Sequence, residues 1–133
     1  ELAELVSLHG PLLTIVGPSG SGKSRLALEL ARRAHERGIF VDLSQARESS
    51  VIAHVARALH VDALSPSQLV AALRDRVEHE PLLIVLDACD ACGEGVAEFI
   101  KAVHGIEALR TIVTARGALG LRGEQIYELG PLA

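Results

Sequence analysis

Eight consecutive residues, Gly17-Pro18-Ser19-Gly20-Ser21-Gly22-Lys23-Ser24, carry the densest chemical signal in the chain. The spacing G-x-x-x-x-G-K-[ST] wraps successive backbone N–H groups around phosphate oxygens, because glycines take backbone angles that side chains obstruct. In that arrangement Lys23 reaches the β- and γ-phosphates and the Ser24 hydroxyl ligates Mg2+. A helix opening near Lys23 adds the positive end of its dipole. The chain has 11 Arg and only 2 Lys, so a lysine inside this glycine-rich stretch stands out from the background. The other, Lys101, sits in an ordinary helical pattern.

A second signal lies downstream, where Leu82-Leu83-Ile84-Val85-Leu86 delivers Asp87. An apolar strand ending in a carboxylate has the form of a Walker B element, and Asp87 is expected to hold Mg2+, usually through water. Hydrolysis needs one further group to orient the attacking water beside the γ-phosphate. Position 88 is Ala, which cannot do this. Asp90 is the nearest substitute and Glu94 a more distant one, so Asp90 reads either as that catalytic group or as a loop or cap residue. The third signal is Leu109-Arg110-Thr111-Ile112-Val113-Thr114-Ala115-Arg116, an apolar strand ending in a hydroxyl and a cation. Strand carboxyl ends converge on the ligand crevice of a parallel sheet. Thr114 is therefore placed to detect the γ-phosphate by hydrogen bond, and Arg116 by charge. Cys89 and Cys92 have C-x-x-C spacing but no second pair and no neighbouring His. They leave a zinc site underliganded and read as small buried residues, or as a fortuitous disulfide under oxidising conditions.

The elements that must position these groups follow from periodicity. Pro11 to Val16 is a short apolar run closed by Gly17, as in a strand buried on both faces. Leu26, Leu28, Leu30, Ala31 and Ala34 predict a helix from Lys23 to about Arg37, with Gly38 as its stop. Residues 39–43 then read as a second strand. Ser49-Ser50 is placed to cap a helix running to about Leu59, and Ser65-Pro66-Ser67 opens another carrying Leu69, Val70, Leu73 and Val77. Strands at 82–86, 109–113 and 125–129 and a helix from about Glu94 to His104 complete an α/β alternation, which predicts a parallel sheet with helices on both faces. The glycines between 117 and 123 read as a flexible connection with a short helix and turn.

A length of 133 residues fits one domain, and a composition that is 49% hydrophobic but only 2% aromatic builds its core from Leu, Val, Ile and Ala. No apolar run approaches the roughly 18–20 residues that cross a bilayer. No signal pattern opens the chain, and a cytoplasmic location is expected. A net charge of −4 without a basic stripe excludes an electrostatic footprint for nucleic acid on this domain. The chain begins at Glu1, and residues 1–6 look like a helix in progress, so a fragment of a larger multidomain protein is expected.

With these three elements in place, the chain resembles the STAND NTPases, which include NB-ARC domains and the ATPase modules of large bacterial transcriptional regulators. Leu86-Asp87-Ala88-Cys89-Asp90-Ala91 is similar to the apolar run and Asp-Asn-Cys-Glu-His of the regulator branch, with Ala replacing Asn and His. Thr114-Ala115-Arg116 is similar to its Thr-Ser-Arg or Thr-Thr-Arg, and the segments 119–124 and 129–132 to its run into the fifth strand. Glu1 to Leu5 resembles the helix after a Gly-Arg-Glu motif whose adenine-holding Gly-Arg is absent, so phosphates are recognised better than base. The resemblance implies a five-stranded parallel sheet in order 5-1-4-3-2, three layers, and binding of ATP or ADP with Mg2+. It further implies slow hydrolysis, a switch between ADP and ATP states that acts on other domains of the parent, and oligomerisation of the parent in the ATP state. Two alternatives stay open: a degenerate nucleotide-binding scaffold without turnover, and a small-molecule kinase, which the lack of an arginine-rich lid disfavours.

Overall fold

A computed structural model of the chain describes residues 10–47 and 50–130. The helix expected at residues 1–6, Ser49 as a cap, and the segment from Pro131 lie outside the described residues. In chain order the elements are β1 (Leu12–Val16), α1 (Lys23–Arg33), β2 (Arg37–Asp42), α2 (Val51–Leu59), α3 (Pro66–Val77), β3 (Leu82–Asp87), α4 (Gly93–Val103), β4 (Leu109–Ala115) and β5 (Glu124–Glu128). A short 3-10 turn, Cys89–Cys92, joins β3 to α4.

The five strands form one sheet in the order β2-β3-β4-β1-β5, with every pair parallel. This is the expected 5-1-4-3-2 order read from the other edge. Parallel pairing buries the central strands between helical layers. Accordingly, all six residues of β3 and all five of β1 are buried. Alternation of side chains along the strands splits the core in two. On one face Leu13, Ile15, Leu83, Val85 and Ile112 pack against Ala27 and Leu30 of α1. On the other, Leu82, Ile84, Leu86 and Val113 meet α2, α3 and α4 through Val55, Leu59, Leu73 and Phe99. Both faces are apolar, so the chain reaches α/β architecture without Trp or Met and with only two Phe.

Three local features depart from the expectations of periodicity. The first helix ends at Arg33, because Ala34 is extended (φ −72°, ψ 146°). Beyond it, Glu36 turns inward and binds the Arg110 guanidinium through two hydrogen bonds, with Nη2 at 2.8 Å from Oε1. Gly38 is therefore no helix stop; it lies within β2 against Ala31 of α1. Ser50 does not cap α2, because its hydroxyl accepts from the Arg47 N–H and donates to the Arg47 carbonyl, both at 2.9 Å. The 117–123 connection forms no helix. Instead the Glu124 carboxylate gathers the N–H groups of Leu119, Gly120 and Leu121 at 2.9, 2.9 and 3.4 Å. At α3 the expected start is present, with the Ser65 hydroxyl accepting from Gln68 N–H at 3.3 Å and Pro66 in the first turn.

Candidate functional site

All strands run the same way, so Gly17, Asp42, Asp87, Arg116 and Leu129 gather at one edge of the sheet. The loop from Gly17 to Gly22 leaves β1 there and turns into α1. Gly20 (φ +79°) and Gly22 (φ +91°) occupy the left-handed region that side chains avoid. Gly17 is required for a different reason. A Cβ on it would overlap the Leu129 carbonyl oxygen and stand 2.8 Å from Ser21 Oγ. The strand-to-loop junction is tied on both sides, by Gly17 N–H to the Ala115 carbonyl at 3.2 Å and by Leu129 N–H to the Val16 carbonyl at 2.7 Å.

No side chain caps α1, and its first turn contains no acidic residue. The first intrahelical bond is donated by Leu26 N–H to the Gly22 carbonyl at 3.0 Å, which leaves the N–H groups ahead of it for an anion. Over them lies an open hollow of about 360 Å3, lined by Gly20, Ser21, Gly22, Lys23, Ser24 and Arg25. Lys23 lies across the loop, donating from Nζ to the carbonyls of Gly17 (2.7 Å) and Pro18 (3.0 Å). Ser21 is 1% exposed, and its hydroxyl has no hydrogen-bond partner.

Asp87 is the hub of the site. Its side chain is buried, and its carboxylate accepts three contacts from two hydroxyls. Ser24 Oγ lies 2.8 and 2.9 Å from its two oxygens, and Thr114 Oγ1 donates at 2.6 Å. The register explains the meeting: Leu86 is paired with Val113, so Asp87, the last residue of β3, and Thr114, one before the end of β4, lie side by side. Thr114 Oγ1 also accepts the Ala88 N–H at 2.9 Å. Ala88 has φ +62°, a conformation that costs an L-residue roughly 1–2 kcal/mol. The hydrogen bond to Thr114 helps hold it.

Asp90 and Arg116 meet each other at the rim of the site. Asp90 Oδ1 accepts the Arg116 backbone N–H at 2.7 Å, tying the 3-10 turn to the end of β4. The Arg116 guanidinium reaches the loop, with Nη2 3.1 Å from Ser19 Oγ. Pro18 and Ser19 form the exposed tip of the loop. Cys89 and Cys92 are free and buried. Burial raises the Cys89 thiol well above its ordinary value, so it remains protonated and unreactive.

The structure thus brings the sequence-selected residues to one place: the loop, Lys23, Ser24, Asp87 and Thr114 at the centre, Asp90 and Arg116 at the edge. These groups fit a Mg2+–nucleotide. The Ser24 hydroxyl and Asp87 carboxylate are hard oxygen donors of the kind Mg2+ prefers, and the uncapped helix start with Lys23 suits phosphate. Arg25, whose sequence signal is a cation in the first turn of a helix, also lines the hollow. Ala88 cannot orient water, and its left-handed backbone is held by the hydrogen bond from its N–H to Thr114 Oγ1.

The AAA domain family matches residues 7–117, a span that contains the loop, Asp87 and Thr114. The chain belongs to this family. Proteins of the AAA family generally bind ATP or ADP with Mg2+. Among curated relatives, uncharacterized proteins of Mycobacterium tuberculosis and Mycobacterium bovis are 30% identical over 131 residues, covering 92% of this AAA domain and 33% of their own length. The Lon protease of Nitratidesulfovibrio vulgaris is 36% identical over 84 residues, 62% of this chain and 10% of the protease. The chain therefore spans about a third of the length of the mycobacterial relatives it matches. Among solved structures, C. elegans PCH-2 superposes with a TM-score of 0.60 at 16% identity, covering 98% of this chain and 40% of that one, which is a likeness of fold. Among the described residues, no helix of this AAA domain is long and apolar enough to cross a membrane.

Proposed function

We propose that this AAA domain binds ATP and ADP with Mg2+ at Gly17–Ser24 and serves as the nucleotide-dependent switch of a larger regulatory ATPase of the STAND type. The observation that carries the proposal is the meeting of the Ser24 and Thr114 hydroxyls on the Asp87 carboxylate beside the loop. One hydroxyl belongs to the phosphate-binding helix and the other to the sensor strand, so both read the same carboxylate. Ser24 and Asp87 would hold Mg2+, which would supply charge neutralisation at the phosphates. Lys23 would hold the β- and γ-phosphates, Thr114 would detect the γ-phosphate by turning its hydroxyl proton from Asp87 to a phosphate oxygen, and Arg116 would detect it by charge. One charge-assisted contact of about 1.5–3 kcal/mol separates tri- from diphosphate by about ten- to a hundredfold. That differential affinity is what a switch needs. The parent is proposed to be a cytoplasmic regulator of signalling or transcription that oligomerises in its ATP state, with other domains meeting its signal and target. This domain contacts neither nucleic acid nor membrane.

Calorimetric titration of the chain with Mg-ATP and Mg-ADP tests the proposal, with Lys23→Ala beside the wild type. Micromolar binding that the substitution abolishes is expected, and equal affinity in both proteins would refute the site. A second reading, a scaffold that binds nucleotide without turnover, is favoured by Ala88 and by the commitment of Asp90 to the Arg116 N–H. Release of inorganic phosphate from ATP by wild type and Asp90→Asn separates the two. Slow turnover lost in Asp90→Asn supports the regulatory ATPase with Asp90 in the catalytic role, whereas no turnover in either supports the scaffold.

A further inference from the structure

The sheet has two edges, β2 paired only with β3 and β5 paired only with β1. Arg37 at the start of β2 and Leu43 just beyond its end direct their N–H groups inward, to the Pro81 and Asp87 carbonyls at 3.0 and 2.9 Å. Backbone groups alternate in direction along a strand, so those of Gly38, Phe40 and Asp42 point outward, without a ladder partner among the described residues. All three residues are exposed. Edge strands are commonly blunted by a proline, a bulge or a charge in mid-strand. β2 has none of these: its register against β3 is unbroken from Arg37 to Asp42, and its middle is Ile39-Phe40-Val41. Phe40, 40% exposed, shares the face on which Ala31 of α1 stands over Gly38. Leu28, one turn before Ala31, is 41% exposed, and the exposed Arg32 follows Ala31 with no ion pair or hydrogen bond among the described residues. An apolar patch with a cation at one end therefore borders an open strand.

We propose that β2 is a dimerisation edge, pairing antiparallel with β2 of a second copy of this chain and placing Phe40 on the two-fold axis. Outward groups must meet outward groups, which fixes the register: Phe40 lies opposite Phe40 of the second copy and Gly38 opposite Asp42, each pair exchanging two main-chain hydrogen bonds. Directly opposed residues share a face, so the two Phe40 rings meet beside the Leu28 side chains, and Ile39 faces Val41 on the other side of the sheet. The charges agree with this pairing. Asp42 of one copy comes to Gly38 of the other, where no side chain obstructs it and Arg32 stands nearby, and this happens at both ends of the ribbon. The same operation fails at β5. Leu129 N–H turns inward to the Val16 carbonyl, so the outward residues of β5 are Glu124, Ile126 and Glu128. Antiparallel pairing about Ile126 sets Glu124 against Glu128 at both ends, and like charges directly opposite are destabilising. A second copy thus fits one edge of the sheet and is repelled at the other. The resulting dimer is isologous and joins two five-stranded sheets into one, independently of the nucleotide loop.

The test is analytical sedimentation of the whole chain without nucleotide, over a roughly hundredfold range of concentration that carries a monomer–dimer equilibrium through its midpoint. It compares wild type with Phe40→Lys and with Ile126→Lys on the opposite edge. Wild type and Ile126→Lys are expected to pass from the 14.1 kDa monomer to the dimer at the same midpoint. Phe40→Lys is expected to stay monomeric or to need about tenfold more protein or beyond, because a lysine on the axis meets its own copy. Amide hydrogen exchange of the wild type locates the contact without any substitution, and it decides even where Phe40→Lys does not fold. On concentration the N–H groups of Gly38, Phe40 and Asp42 should slow, while those of Glu124, Ile126 and Glu128 do not. A wild type that remains monomeric, a dimer lost in Ile126→Lys and kept in Phe40→Lys, or concentration-dependent protection that spares β2 overturns the proposal. Assembly that appears only with Mg-ATP and is indifferent to Phe40→Lys overturns it as well.

Discussion

Replacing Thr114 with valine keeps the shape of the side chain and removes only its hydroxyl, which makes two hydrogen bonds at a buried position. One runs to the Asp87 carboxylate at 2.6 Å and the other accepts the Ala88 N–H at 2.9 Å. A hydrogen bond to a charged group contributes about 1.5–3 kcal/mol and a neutral one about 1 kcal/mol. Asp87 retains both contacts to Ser24, which moderates its loss, whereas the Ala88 N–H is left without its acceptor in a conformation already unfavourable for alanine. Thr114→Val should therefore destabilise the fold by about 2–4 kcal/mol, lowering the melting temperature by roughly 10 °C in a domain of this size. Thr114→Ser keeps both hydrogen bonds and loses one methyl group, a cost near 1 kcal/mol. Urea denaturation is best followed by far-ultraviolet circular dichroism, since the chain contains no Trp and one Tyr. An unchanged dependence on urea would show that the denatured state is unaffected. If valine costs no more than serine, the hydroxyl does not hold the site together and the argument fails.

The half-buried Glu36–Arg110 pair makes a pH-dependent contribution. Burial by itself would raise the Glu36 carboxyl, but the hydrogen bonds and charge of Arg110, aided by His35, outweigh it and hold the group below its ordinary value near 4.5. A depressed carboxyl stabilises the fold above that ordinary value and loses its contribution as pH falls through the folded one. Glu36→Gln should cost about 1–3 kcal/mol in urea titrations at pH 7, with the gap to wild type closing in acid; a gap that persists unchanged below pH 4 would refute the pairing. Gly17→Ala should displace the loop or the end of β5, lowering the melting temperature and abolishing nucleotide binding by calorimetry, because its Cβ has no room beside Leu129 and Ser21. Phe99 is fully buried where α4 packs on the sheet, and Phe99→Ala should cost about 3–5 kcal/mol in the same denaturation assay.

What could be read from sequence and what could not divide along the distance over which information acts. The loop from Gly17 to Ser24 is a contiguous pattern between a buried strand and a helix, and β3 is an unbroken apolar run ending in Asp87. Both are visible locally, and alternation of elements then leads to the parallel sheet, whereas its strand order is implied by the family resemblance. The close contact of Thr114 with Asp87 depends on the register of two strands whose residues lie 27 positions apart. Glu36 and Arg110 are separated by 74 positions, and their pairing holds the chain just beyond α1, which ends earlier than its apolar spacing suggests. Glycines misled for the same reason: Gly38 resembles a stop but serves as a thin place in β2, and the 117–123 glycines suggest looseness where Glu124 imposes order. The left-handed backbone of Ala88 has no local signature, since alanine is a poor residue for it.

Gly17 is described above as a residue without space for a side chain, and the reason is that β5 ends against it. The backbone that begins the phosphate loop and the backbone that leaves the last strand touch with no intervening atoms, and the Leu129 N–H is bonded to the residue just before the loop. A loop seated in this way has no clearance. Under the proposed function, an adjustment of its base on binding a polyphosphate would displace the outgoing chain, because no side chain stands between the two backbones to rotate away. The glycine thus makes the junction a rigid mechanical coupling, and a bulkier residue would either jam it or force it apart.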